Sequence, residues 1–79
     1  KLRQAWKEIV GYVLGNRTMP KQIQNHTLII ATENPVWAQN LSLMKDQIAQ
    51  TILDRTGQQF TELRFVIEPL PEFRGHNTN

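Results

Sequence analysis

The chain has 79 residues, of which 39% are hydrophobic and 20% charged, with a formal net charge of +2; this is the size and composition of one small globular domain. There is no cysteine, which excludes disulfides, zinc fingers, thiol catalysis and iron–sulfur clusters together. No apolar run approaches the ~20 residues that a membrane-spanning helix needs, so a core of side chains must stabilise the fold.

Leu2, Ala5, Trp6, Ile9, Val10 and Val13 recur at three- and four-residue steps, which predicts an amphipathic helix over residues 1–14 with Gly15 as its stop. Trp6 stands in the middle of that apolar stripe and is expected to anchor the core. Two short strands follow, over residues 17–23 and 27–32, joined through Gln24, Asn25 and His26. Asn25 tolerates the positive φ of a tight turn. Pro20 has no N–H for a ladder bond, so its strand is an edge strand or is bulged there. The apolar triplet Leu28-Ile29-Ile30 marks the second strand as more central.

Asn34-Pro35 reads as an N-cap followed by a proline suited to the first helical position. From Val36 the pattern is helical, with Trp37, Leu41, Met44, Ile48 and Ile52 on one stripe and Gly57 as a stop. Unbroken, this helix would have about 22 residues and run roughly 33 Å; that is long for so small a domain, so a kink or split near its middle is an open expectation. Residues 61–68 alternate as a strand, with Leu63, Phe65 and Ile67 on one side and Arg64 and Glu68 among the polar positions. Residues 69–79 read as a polar tail or linker. The opening Lys1, with neither methionine nor a signal-peptide pattern, reads as the start of a fragment of a longer cytosolic protein.

A strand–helix–strand crossover makes its two strands parallel and is right-handed, so the third strand is expected beside the second, with the Pro20 strand on the outer edge. Both helices must cover one sheet face. The expected fold is therefore a two-layer α+β domain over residues 1–68, of order α-β-β-α-β, with a three-stranded mixed sheet of KH-like arrangement.

Nothing in the chain spells catalysis. Ser42 lies within the long helix beside no base, His26 and His76 have no third ligand at a metal-binding spacing, and the acids are dispersed. There is no phosphate-binding loop or dinucleotide fingerprint, and no cofactor or metal is expected. Three Asn-x-Ser/Thr triplets, at Asn16, Asn25 and Asn40, read as chance. The Gly-x-x-Gly loop with which KH domains clamp a nucleic-acid backbone is also absent. Charge is unevenly placed: residues 1–21 hold five basic side chains against Glu8 alone, while residues 22–79 hold four basic and six acidic ones. Lys7, Arg17 and Lys21, joined by Arg64, are thus the candidate contacts to a phosphate backbone.

The order Trp6, Val10-Gly11, Thr18-x-Pro20, Leu28-x-Ile30, Pro35-x-Trp37-Ala38-x-x-Leu41 and Leu63-Arg64-Phe65 resembles the DciA family over residues 6–67. Asn25-His26 departs from it at a turn where glycine is common in such proteins. The resemblance implies a KH-like domain without the Gly-x-x-Gly loop, often extended by a disordered segment, and a bacterial, cytoplasmic, nucleoid-associated protein without enzymatic activity. It implies a DNA-replication factor whose partners are the hexameric replicative helicase and single-stranded DNA, with double-stranded DNA an open option, and which assists helicase loading. An RNA- or ribosome-associated KH-like module is the alternative reading of the same fold.

On that reading Lys7, Arg17, Lys21 and Arg64 become the DNA contacts. Trp6 and Trp37 are both expected to be mostly buried on the inner sheet face, and Trp37 is also a partner-contact candidate. Val36 and Leu43 fall together on the long helix, about 100° from its apolar stripe, and form the second candidate partner contact. Harmless surface scatter is the plainer account of that pair, and a kink turning Leu43 inward is a further one.

Overall fold

A computed structural model describes residues 2–70. The elements are α1 (Leu2–Val10), α2 (Tyr12–Arg17), β1 (Thr18–Gln24), β2 (Thr27–Thr32), α3 (Pro35–Leu43), α4 (Lys45–Thr56) and β3 (Glu62–Ile67). The sheet order is β1-β2-β3, with β1 antiparallel and β3 parallel to β2. This is the expected two-layer α+β arrangement with each of its two helices divided.

The core lies between the sheet and one layer of helices. Leu2, Trp6 and Val10 of α1, Leu41 of α3, and Ile48 and Ile52 of α4 meet Leu28 and Ile30 of β2, with Leu63 and Phe65 of β3 packed against them. Alternation along β2 and β3 therefore turns Ile29, Ala31, Arg64 and Val66 to the opposite face.

The helix expected over residues 1–14 breaks at Gly11, which adopts φ 95° and ψ 160°, a region open essentially to glycine. Gly15, the expected stop, lies instead inside α2 and is buried. A Cβ there would stand 2.6 Å from Lys7 Cγ and 2.9 Å from Lys7 Cα, so it is this glycine that lets α2 fold back against α1. The turn also removes Val13 from the apolar stripe: it is exposed, while Leu14 packs on the core.

Asn25 takes the expected positive φ, 57°, in the hairpin turn. Pro20 pairs with Ile30, and the register then slips so that Gln22 faces Ile29, leaving Lys21 as the extra residue of a β-bulge. The start of β3 is tied to the hairpin, because the Thr61 N–H donates to the His26 carbonyl at 2.8 Å.

The long helix divides at Met44, whose φ of −105° and ψ of 9° leave the α region. Each half then aims its own stripe, and this corrects the expectation that Trp37 packs in the core on the inner sheet face. Leu41 is the residue of α3 that is buried, whereas Trp37 is only half-buried and stands outside the core cluster. Asn34 caps α3 as expected, its Oδ1 accepting from the N–H groups of Val36 at 3.0 Å and Trp37 at 3.3 Å. Asn34→Ala should lower stability by about 1 kcal/mol in urea titrations followed by circular dichroism, with Asn34→Ser restoring most of it.

Pro69 and Leu70 follow β3 among the described residues. Leu70 is fully buried and lies outside the core cluster. It shares a depression with Met19, Ala31 and Pro69, which places it over the sheet face opposite the helices. Residues 71–79 of the expected tail lie outside the described residues.

Candidate nucleic-acid and partner surfaces

The four candidate phosphate contacts come from four elements and do not form one patch. Lys21, at the bulge of β1, and Arg64, in the middle of β3, belong to the sheet face opposite the helices. The Lys21 ammonium reaches Glu68 Oε1 at 3.0 Å, and Arg64 Nε reaches Glu62 Oε2 at 3.3 Å. Arg17 ends α2, and its guanidinium meets Glu33 Oε1 at 3.1 Å. The same two residues are joined through the backbone, where the Glu33 N–H donates to the Arg17 carbonyl at 3.1 Å. Lys7 lies on α1, in the helical layer; its ammonium stands 5.6 Å from the centroid of the Tyr12 ring.

Three of the four cations are thus matched by carboxylates. Ion pairs this exposed contribute only ~0–1 kcal/mol to stability, so phosphate can displace them at small cost. They nevertheless lower the local positive potential that counting charges along residues 1–21 suggests. Lys7 is the exception. Among the described residues it meets no carboxylate within ion-pair distance, and the neighbouring Glu8 is held by Arg55 at 2.7 Å.

The candidate partner residues lie on α3. Val36 and Leu43 are 63% and 81% exposed. Seven residues apart on a helix, they project within about 20° of each other and ~10 Å apart along the axis. The break at Met44 does not turn Leu43 inward. Trp37, one residue on from Val36, is half-buried. Tyr12 at 74% and Val13 at 65% exposed form a second apolar surface on α2. Sequence periodicity assigns Val13 to the core, and only the turn at Gly11 reverses that.

Ser42 is exposed on α3, and among the described residues no three His, Asp or Glu side chains converge as a metal site. Nor is any helix among them long and apolar enough to cross a membrane. What the surfaces offer is contact: displaceable cations on one sheet face, a cation beside an aromatic ring on the helical layer, and an apolar pair on α3.

Comparison with known proteins places this arrangement in a family. The model of the family described as "Dna[CI] antecedent, DciA" matches residues 1–65. A protein of Corynebacterium glutamicum (strain R) named "UPF0232 protein" is 34% identical over 70 residues, covering 87% of this chain. The chain spans 39% of that relative's length. With the family match running from α1 into β3 and the α+β fold in agreement, this chain belongs to the DciA family.

Proposed function

We propose that this domain is the folded module of a non-enzymatic, cytoplasmic DNA-replication factor, one that binds the hexameric replicative helicase and assists its loading onto single-stranded DNA. The observation that carries this reading is the family match over residues 1–65. The surfaces agree with a role made of contacts: Val36 and Leu43 offer an apolar hold for a protein partner beside Trp37, and Lys7, Arg17, Lys21 and Arg64 serve the DNA backbone. The ion pairs at Arg17, Lys21 and Arg64 open when phosphate replaces carboxylate.

Leu43→Asp tests the protein contact. Because Leu43 is 81% exposed, the variant should keep its circular-dichroism spectrum and melting temperature. A charge placed in an apolar contact should weaken capture of the source bacterium's purified helicase by the full-length protein about tenfold or more. If the unaltered full-length protein fails to bind the helicase, the functional reading falls. If it binds and Leu43→Asp binds equally well, the contact lies elsewhere on the protein. Single-stranded DNA and RNA of matched sequence, titrated at two salt concentrations, separate the replication reading from an RNA-binding one.

A further inference from the structure

We infer that the turn between α1 and α2 is a binding site for single-stranded DNA, with Tyr12 as a stacking platform for one base and Lys7 as the contact to the adjoining phosphate. The inference rests on the DNA contact proposed above and names its centre.

Four observations converge on these residues. Tyr12 is 74% exposed, so a ring face is open to a flat ligand. Its position follows from the backbone: Gly11, at φ 95° and ψ 160°, ends α1 and starts α2 in a new direction with Tyr12 as the first residue of α2. Second, Lys7 stands beside the ring. Its Cα and Cγ lie so close to Gly15 that a Cβ there would stand within 2.9 Å of both, and its ammonium stands 5.6 Å from the Tyr12 centroid, within cation–π range. Third, this ammonium is the one among the four candidate cations without a carboxylate, since Arg17, Lys21 and Arg64 each have one. Fourth, Asn16, exposed and one helical turn after Tyr12, adds a polar side chain on the same side of α2.

An aromatic ring with a cation beside it suits a single strand rather than a duplex. Bases of an unpaired strand are free to leave their neighbours and stack on a side chain, whereas duplex bases present only their edges. Stacking needs no particular base, because every base has a π-face. Lys7, already positioned over the ring, meets the phosphate of the stacked nucleotide with little further ordering. The predicted interface is therefore sequence-tolerant and strand-selective.

The test is titration of the full chain, and of Tyr12→Ala, Tyr12→Phe and Lys7→Gln, with a short oligodeoxyadenylate alone and annealed to its complement. Tyr12→Ala should lose about tenfold in affinity for the single strand, since stacking on one aromatic ring contributes ~1–3 kcal/mol per base and tenfold corresponds to ~1.4 kcal/mol. Duplex affinity should stay unchanged, and Tyr12→Phe should keep most of the single-strand affinity. Lys7→Gln should reduce the salt slope by about 0.7 for the single strand. Tyr12 is the only tyrosine, so in the unaltered protein its ring signals can be followed by NMR, and adenine stacking should move them upfield. Unshifted ring signals together with equal affinities for Tyr12→Ala and the unaltered protein would overturn the inference while leaving the wider DNA contact standing. No binding of either DNA by the unaltered protein would overturn both.

Discussion

Trp6→Ala should remove a large part of the domain's stability and move its urea midpoint sharply down. Trp6 is 2% exposed at the centre of the core, and truncating a buried tryptophan costs about 3–5 kcal/mol. At ~0.05–0.15 kcal/mol per residue, a domain of this size has a total stability of about 4–12 kcal/mol. The indole adds a polar link: its Nε1–H donates to Thr18 Oγ1 at 3.0 Å, and the Thr18 hydroxyl donates to the Leu14 carbonyl at 2.7 Å. That relay joins α1, the middle of α2 and the first residue of β1 inside the protein, so losing the indole loosens three elements together. Trp6→Phe keeps most of the apolar volume but removes the donor, and should cost about 1–3 kcal/mol. Trp37→Ala, at a half-buried position outside the core cluster, should cost less than half as much as Trp6→Ala. Urea unfolding of the three variants, followed by far- and near-ultraviolet circular dichroism, gives the ranking. A Trp6→Ala variant within 1 kcal/mol of the unaltered protein would contradict this account of the core.

Gly15→Ala should destabilise by about 1–3 kcal/mol, although helix propensity alone predicts the opposite sign. In an isolated helix alanine is favoured over glycine by about 1 kcal/mol, and Gly15 sits within α2. Against that, the new Cβ would lie 2.6 Å from Lys7 Cγ and 2.9 Å from Lys7 Cα. The side-chain atom can move aside; the backbone atom moves only if α1 and α2 separate, and overpacking of this kind typically costs 1–3 kcal/mol. A double variant sharpens the point. Adding Lys7→Ala to Gly15→Ala removes the clash with Cγ but leaves the one with Cα, so rescue should be partial. Gly11→Ala should also destabilise, for a different reason: nothing lies within 4 Å of its Cβ position, but its φ of +95° is strained for any side chain. Full rescue of Gly15→Ala by Lys7→Ala, measured as a coupling energy in chemical denaturation, would show that the helices are not in backbone contact.

Local pattern in the sequence determines much of this protein. Alternation through Leu28, Ile30, Leu63 and Phe65 establishes the inner sheet face, and the helix between those two strands makes β3 parallel to β2. Asn25, Asn34, Pro35 and Gly57 each meet a backbone demand carried by one or two neighbouring residues: a positive φ at the turn, a cap and first residue for α3, a left-handed stop for α4. The tertiary structure alone decides between Gly11 and Gly15 as the end of the first helix, because the second glycine answers to Lys7 eight positions earlier on a neighbouring helix. It alone turns Val13 outward, separates the stripe of α3 from that of α4 at Met44, and buries Leu70 over the outer sheet face. The electrostatics follow the same division. Counting charges finds an excess of cations in residues 1–21, but the carboxylates that meet Arg17 and Lys21 arrive from 16 and 47 positions further along the chain. Periodicity and capping act over a turn or two of backbone and are legible in order along the chain. Close helix approach and ion pairing depend on distances between residues that only the folded chain brings together.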